Sequence, residues 1–180
     1  GLYRGAHLIC VPETHFELLH YGDLGIHAAT EPASWDKEDF MLHIRTKICG
    51  VEKDNQVIYQ IFDEDGKEVA SAARPADSPD TSIPLYKPHR WDIKNSYQYT
   101  LKALIMRNNE CLDEVELKFG VRTFCCDPGR GFLINGNCVP LRGVSRHQDK
   151  LYQGNALTKE DHIRDAELIE ESGQIRCVLP

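Results

Sequence analysis

A basic, an imidazole and a carboxylate side chain follow one another where an apolar run gives way to a loop. Arg146, His147 and Asp149 come shortly after Val139–Val144, a run with the character of a strand. Enzymes built on parallel strands place their functional groups at the carboxyl ends of those strands. Their position makes these three residues the candidates for a functional site.

The cysteines and histidines do not have the spacing of a metal site. The seven cysteines lie at positions 10, 49, 111, 125, 126, 138 and 177 without a Cys-x-x-Cys pair, and the eight histidines are scattered. We therefore predict no metal ligands and expect reduced thiols, most of them packed as small apolar residues. Reduced thiols favour a reducing compartment, which predicts a cytoplasmic protein, with a periplasmic location as the alternative.

The charge balance argues against two classes of partner. The 180 residues carry 28 acidic against 21 basic side chains, a formal net charge of -7. Nucleic acid and anionic membrane surfaces attract basic proteins, so we predict neither as the main partner. The apolar runs are also far shorter than the roughly 20 residues that span a bilayer.

Alternating apolar residues predict strands from the start of the chain to about Phe124. In Phe40–Cys49 the apolar residues share one face and the basic residues share the other, the period of two that a half-buried strand shows. Further strand-like segments are Ala6–Pro12, Val57–Phe62, Lys67–Ala72, Tyr97–Met106 and Val115–Phe124. Short strands at hairpin spacing without a helical pattern predict an antiparallel β-sandwich over residues 1–124.

After Phe124 the pattern changes to strand, helix, strand. Asn135-Gly136 predicts a tight hairpin, and Val139–Val144 continues as an apolar strand. Thr158, followed three residues later by Asp161, predicts a capped helix start. The helix would bury a stripe formed by Ile163, Ala166 and Ile169, and Ile175–Leu179 would resume an extended run.

This order predicts a parallel β–α–β unit. Parallel strands are stable only inside a larger sheet that is covered on both faces, and two strands cannot make such a sheet. We therefore predict that residues 125–180 are the truncated beginning of an α/β domain.

Three motifs in order carry a resemblance to a known family. They are F-G-V-R at 119–122, F-L-I-N-G at 132–136 and L-R-G-V-S-R-H-Q-D at 141–149, followed by Gly154 and Asp165. The set resembles glycoside hydrolase family 2, the β-galactosidase and β-glucuronidase family, and most of all its β-galactosidase branch. Residues 1–4 resemble the exit from that family's jelly-roll domain, and 91–99 resemble the late strands of its immunoglobulin-like sandwich.

The resemblance implies a fold and an activity. Residues 1–124 would be the immunoglobulin-like sandwich, and 125–180 the truncated N-terminal part of the catalytic (β/α)8 barrel. The intact protein would hydrolyse terminal β-galactosides by the retaining mechanism, with two glutamates on later barrel strands. We accordingly expect no catalytic residue in these 180 residues, an inactive chain, and a sandwich that acts as a structural spacer.

The same resemblance implies roles for individual residues. His147 would line the sugar pocket together with Arg146 and Asp149, although the last two could instead only fix the loop. Arg176 would orient the nucleophilic carboxylate. Asn109-Glu110 mimics the family's acid/base dipeptide, but it falls at a predicted hairpin turn, so we assign it to the turn.

Cofactors and partners follow in the same way, and a different class of function stays open. We expect no cofactor in this chain, whereas the resemblance implies Mg or Na in the intact protein. The implied partners are a β-galactoside substrate and neighbouring jelly-roll and barrel domains. The unpaired edges of the parallel strands separately predict a second copy of the protein as a partner. The alternative is a non-enzymatic carbohydrate-binding or adhesion module, because residues 1–124 contain enough strands for an independent sandwich.

Overall fold

The computed structural model of the chain describes residues 6, 8–18, 23–141, 143–172 and 178–179. They fall into two compact units. The first, called here the sandwich unit, comprises Cys10–Phe124 and the turn Ile134–Gly136. The second, called the C-terminal unit, includes Cys125–Leu133 and the described residues from Asn137 onward.

Two antiparallel sheets form the sandwich unit. One has the strand order β2-β3-β7 and the other the order β6-β5-β8-β9, with a short additional pair β1-β4. The bounds are β1 (His15–Phe16), β2 (Ile26–Pro32), β3 (Phe40–Thr46), β4 (Ile48–Cys49), β5 (Gln56–Phe62), β6 (Glu68–Pro75), β7 (Thr81–Leu85), β8 (Tyr99–Arg107) and β9 (Glu110–Phe119). The neighbours β3-β7 and β5-β8 are crossovers of the kind found in immunoglobulin-like sandwiches, so the predicted fold class is confirmed.

The period-two pattern of the strands builds one core from both sheets. On β3, Leu42 and Ile44 are buried while Arg45 is exposed, as the alternation predicts. The facing sheet contributes Tyr59 and Ile105, which are likewise fully buried in the same hydrophobic cluster. Burying side chains of this size stabilises the fold by about 1.5 to 3 kcal/mol each, so these positions fix the register of every central strand.

One predicted strand is wrong. Residues 8–12 of the Ala6–Pro12 run have no regular structure, and Leu8 is 91% and Ile9 67% exposed. Apolar alternation indicates which side of a strand would be buried, but a strand also needs a neighbouring backbone for its hydrogen bonds. No described strand pairs with residues 8–12.

Two hairpins turn through residues in the left-handed region. Asn108 (φ 49°) and Asn109 (φ 67°) join β8 to β9, and Asn135 (φ 51°) and Gly136 (φ 80°) form the next hairpin turn. Positive φ at both central residues is the requirement of a type I′ turn, for which Asn and Gly are the favoured residues. The assignment of Asn109 to turn chemistry is therefore confirmed, whereas its neighbour Glu110 is already the first residue of β9.

The C-terminal unit contains the predicted strand–helix–strand order. Its elements are β10 (Phe124–Asp127), β11 (Gly131–Ile134), β12 (Asn137–Cys138), β13 (Val144–Ser145), α1 (Lys159–Glu171) and β14 (Val178–Leu179). Strands β13 and β14 pair in parallel, with Val144 opposite Val178. The assignment of this unit to a barrel stays a prediction.

Two details of the C-terminal unit differ from the sequence-based expectation. The strand expected over Val139–Val144 is reduced to Val144–Ser145, because Val139 still bonds back to Phe132 in the hairpin and Pro140 has no N–H to donate. The expected buried stripe of α1 is wrong as well, since Ile163 is 48% exposed. Two strands of two residues offer too little surface to cover a helix of 13 residues.

The thiols also differ from expectation. Cys10, Cys111, Cys125, Cys126 and Cys138 are exposed, Cys49 is half-buried, and all six are free. Most of them therefore do not act as packed apolar residues, because they lie in the open N-terminal segment, on outward strand positions and in the hairpin. Cys177 lies outside the described residues.

A buried phenol joins the two sheets of the sandwich. The Tyr59 hydroxyl donates to the carbonyl of Pro79 at 2.9 Å and lies 2.6 Å from the Thr46 hydroxyl. Burial raises the pKa of Tyr59 from 10.0 to about 12, assisted by the charge of Asp80 and opposed by the hydrogen bond from Thr46. The folded chain therefore holds this proton at pH values where the unfolded chain releases it.

This buried phenol predicts an alkaline loss of stability that depends on one residue. Below pH 10 Tyr59 is protonated in both states, and between about pH 10 and 12 only the unfolded chain ionises, so the free energy of unfolding falls as pH rises. We expect a loss of about 1.4 kcal/mol from this group at pH 11. Tyr59→Phe should lower stability by about 1 kcal/mol at pH 8 through its lost hydrogen bonds, and urea denaturation should show this cost shrinking toward pH 11. Parallel stability curves for the two chains would contradict the assignment.

Candidate functional site

Arg146 is oriented by a carboxylate of the helix in the C-terminal unit. Its Nε donates to Asp165 Oδ2 at 2.7 Å, and its terminal nitrogen NH2 bonds the same oxygen. The side chains are only 14% and 25% exposed, so water screens this ion pair less than a surface pair.

The other predicted site residues are placed differently. The side chains of His147 and Asp149 are exposed, and among the described residues neither has a hydrogen bond or ion pair that fixes its side chain. The structure therefore holds Arg146 against Asp165 and leaves His147 and Asp149 open to a ligand. Arg176 lies outside the described residues. The roles of all four residues in a sugar pocket remain predictions.

Asp161 connects the loop after β13 to the start of α1. Its carboxylate accepts hydrogen bonds from the Lys150 ammonium at 2.6 Å, the Gln153 amide at 3.0 Å and the Thr158 backbone N–H at 2.9 Å. Thr158 Oγ1 accepts in return from the Asp161 backbone N–H at 3.3 Å, which completes the predicted capping box. The Lys150 hydrogen bond, followed by that from Thr158, lowers the pKa of Asp161 well below its usual range.

The F-G-V-R motif surrounds Trp91 in the sandwich unit. A side chain at Gly120 would place its Cβ 2.8 Å from Trp91 Cβ, so only glycine admits the indole at this position. The Arg122 guanidinium lies 4.5 Å from the centre of the Trp91 ring. The backbone N–H of Trp91 donates to the Val121 carbonyl at 2.9 Å. Both the glycine and the arginine of this motif are thus explained by packing.

Asn135, in the second motif, bonds the same tryptophan. The side-chain nitrogen of Asn135 donates to the Trp91 carbonyl at 2.9 Å, and its side-chain oxygen accepts from the Thr123 backbone N–H at 3.0 Å. The Asn135 N–H in turn donates to the Thr123 carbonyl at 2.9 Å. An asparagine at this turn therefore supplies both the left-handed backbone and the hydrogen bonds that hold it.

The candidate acid/base residue of the sandwich unit lies at the start of a strand. Glu110, which mimics the acid/base dipeptide, is exposed at the first position of β9, opposite Arg107 across the turn. No group of three or more His, Cys, Asp or Glu side chains is arranged to hold a metal ion within the described part of the chain. None of the described helices is long and apolar enough to cross a membrane.

The order of these two units is characteristic of one class of protein. An antiparallel sandwich precedes a parallel strand–helix–strand unit whose polar residues follow the first parallel strand, as in multidomain enzymes that build a barrel after accessory β domains. The sequence model described as Glycosyl hydrolases family 2 matches residues 29–122, just over half of the chain. The chain belongs to this family.

Individual relatives share most of the chain. A crystal structure of an FMN-binding β-glucuronidase from Facaelibacterium prausnitzii L2-6 is 44% identical, with a TM-score of 0.91 over 99% of this chain and 27% of that one. A β-glucuronidase of Bacteroides fragilis is 29% identical over 96% of this chain and 26% of its own length. A β-galactosidase of Bacteroides ovatus is 29% identical over 88% of this chain and 20% of its own length. This chain thus spans a fifth to about a quarter of these relatives.

Sequence reasoning missed the contacts that organise the site. The motif that contains Arg146 also led to Asp165, but the spacing alone did not reveal that they form an ion pair. Lys150 went unnoticed, although a cation eleven residues before the helix-capping Asp161 is a usable signal.

The Asp161 contacts predict a specific weakness of α1. Asp161→Asn removes the charge that holds Lys150 and the first helical turn, so amide exchange over Lys159–Glu171 should accelerate at pH 7. Acidification should act in the same direction on the unmodified chain, because a carboxyl whose pKa is lowered by folding contributes its stability above about pH 4 and loses it as pH falls.

Glu167→Gln is the matched control for this variant. It removes the same charge from the same helix, but among the described residues Glu167 forms an ion pair with Arg164, at 3.3 Å and exposed on both sides. Exchange in this variant should stay close to that of the unmodified chain. Equal acceleration in the two variants would show that total helix charge, rather than the Asp161 cluster, controls protection.

Proposed function

We propose that this chain is the sandwich and first barrel elements of a longer glycoside hydrolase that removes a terminal β-linked sugar. The observation that carries the proposal is the extent of the similarity: the 44% identical β-glucuronidase structure covers 99% of the chain, including the parallel β–α–β unit. Similarity confined to the sandwich would support only a shared accessory domain.

The proposed substrate is a β-D-glucuronide. It is favoured because the 44% identical protein is a β-glucuronidase. A β-galactoside is the second candidate, supported by the β-galactosidase of Bacteroides ovatus and by the motif resemblance. In either case we propose retaining hydrolysis by two glutamates about 5 to 5.5 Å apart on barrel strands that these 180 residues do not include.

Within that enzyme the chain would have a supporting role. The sandwich unit is proposed to be a structural spacer next to jelly-roll and barrel domains, because its polar motif residues are occupied with Trp91. His147 and Asp149 are proposed to contact the sugar. Arg146 is proposed to position the loop beside them through its ion pair with Asp165. Arg176 is proposed to orient the nucleophilic carboxylate. Mg or Na in the intact protein remains a proposal from the family resemblance. A cytoplasmic location remains a proposal from the reduced thiols, and assembly into an oligomer one from exposed strand edges.

The first test compares substrates and chain lengths. The longer protein should hydrolyse p-nitrophenyl β-D-glucuronide with a kcat/KM at least about tenfold above that for the β-D-galactoside, a difference of about 1.4 kcal/mol in transition-state binding. The 180-residue chain should release no nitrophenol above the buffer rate from either compound.

Two outcomes would contradict this proposal. Turnover by the 180-residue chain would show that it contains a complete active site. Calorimetric binding of glucuronides or galactosides that survives deletion of residues 125–180 would favour the alternative, a non-enzymatic carbohydrate-binding or adhesion module.

The second test concerns His147. In the longer protein, His147→Ala should lower kcat/KM by about 10- to 100-fold, because a lost hydrogen bond to a bound polar substrate is worth about 1.5 to 3 kcal/mol. The control is His162→Ala, which removes the same side chain from α1 in the same unit and should leave kcat/KM nearly unchanged. Equal effects of the two variants would remove His147 from the site.

A further inference from the structure

A polar cavity opens on the surface of the sandwich unit, away from the residues assigned above. Its volume is about 420 Å³, which lies within the range of about 300 to 1,000 Å³ typical of small-ligand pockets. The lining comes from β3, from one residue of β6, and from the start of β7 with the residue before it: His43, Ile44, Arg45, Arg74, Asp80, Thr81 and Ser82. No Trp, Tyr or Phe is among them, so the cavity lacks the flat ring on which a neutral sugar stacks.

Two arginine side chains give the cavity a positive charge. Arg45 is exposed on the outer side of β3, and its side chain forms no ion pair or hydrogen bond with any described residue. Arg74 donates through Nε to Thr81 Oγ1 at 3.1 Å, and its two terminal nitrogens have no partner among the described residues. Guanidinium groups with free donors bind carboxylates and phosphates in two-pronged geometry.

The one acidic lining residue is already engaged by the backbone. Asp80 Oδ1 accepts from the Thr46 N–H at 2.9 Å, across from the start of β7. The lining therefore carries two fixed positive charges against one negative charge, in a chain whose formal net charge is -7. A net positive cavity on an acidic protein attracts anions locally, although the overall charge repels them.

Neighbouring strands hold the remaining polar groups in place. His43 Nε2 lies 2.9 Å from Glu31 Oε1, and Nδ1 lies 2.8 Å from Ser82 Oγ. Because an ionised carboxylate can only accept, Nε2 carries a hydrogen toward Glu31, and the imidazole cannot turn without losing both contacts. The Ser82 hydroxyl keeps acceptor capacity for a ligand hydroxyl beside the two arginines.

We propose that this cavity binds a small polar ligand through a carboxylate or phosphate group that Arg45 and Arg74 hold together. Ser82 and Thr81 would hydrogen-bond the rest of the ligand. The proposal rests on the sandwich unit alone and holds whether or not the longer protein is a glucuronidase.

The probes are inorganic phosphate, D-glucuronate and neutral D-glucose, each titrated into the ¹⁵N-labelled 180-residue chain at constant ionic strength. Phosphate or glucuronate should produce saturable shifts of the amides of residues 43–45 and 80–82, with a dissociation constant below about 10 mM, whereas glucose should not. A response to glucuronate alone would indicate an acidic sugar, and a response to phosphate alone a phosphorylated ligand. Absence of saturation with both anions, or an equal response to glucose, would overturn the proposal.

Variants separate the cavity from general attraction between charges. Arg45→Gln and Arg74→Gln should each weaken anion binding at least about tenfold, the effect expected when a charge-assisted bidentate contact is lost. Arg107→Gln removes the same charge from β8, where the guanidinium pairs with Glu52 outside the cavity, and should leave binding unchanged. Equal weakening by Arg107→Gln would show non-specific attraction and refute the site. Amide spectra of residues outside the cavity confirm that each variant is folded.

Discussion

The close approach of Gly120 to Trp91 is the contact on which the end of the sandwich depends. An alanine at this position would place its Cβ within 2.8 Å of the tryptophan, so the chain can pass the indole only as glycine. Arg122 covers one side of the indole ring. The backbone carbonyl of Trp91 accepts a hydrogen bond from Asn135, and its backbone N–H donates one to Val121. A cation over an aromatic face contributes about 0.5 to 2 kcal/mol, and each hydrogen bond about 1 kcal/mol. Several weak interactions thus stabilise the position of Trp91.

The Trp91 contacts change how the family motifs are interpreted. Motifs that identify an enzyme family are expected to carry catalytic residues, yet the F-G-V-R motif and the asparagine of F-L-I-N-G are used here for packing and for a turn. Asn135 serves both purposes, because its positive φ makes the turn and its amide reaches Trp91. In the third motif His147 and Asp149 remain available for function, whereas Arg146 is committed to Asp165. A motif can therefore identify a family through the residues that position a site.

Local chemistry predicts part of this fold and of the candidate site. Three features were predictable because each depends on residues within one turn or one strand. They are the alternating apolar pattern around Leu42, the turn at Asn135 and the capping box at Thr158. Residues 8–12 were not, since an apolar pattern does not show whether a partner strand exists. Arg146 was chosen for its position, but its ion pair with Asp165 requires the path of the helix, which the spacing of 19 residues leaves undetermined.

The helix shows how polar contacts substitute for a core. An isolated helix of 13 residues is marginal in water, and no residue of α1 is buried among the described residues. Its apolar side chains, Ile163 and Leu168 at 48% and 46% exposed, gain little from packing. What holds the helix start is the carboxylate of Asp161, which accepts from Lys150, Gln153 and Thr158. Because these contacts fix the N-terminus and leave the apolar side open, α1 has the form of a surface helix whose remaining stabilisation would come from further elements of the proposed barrel.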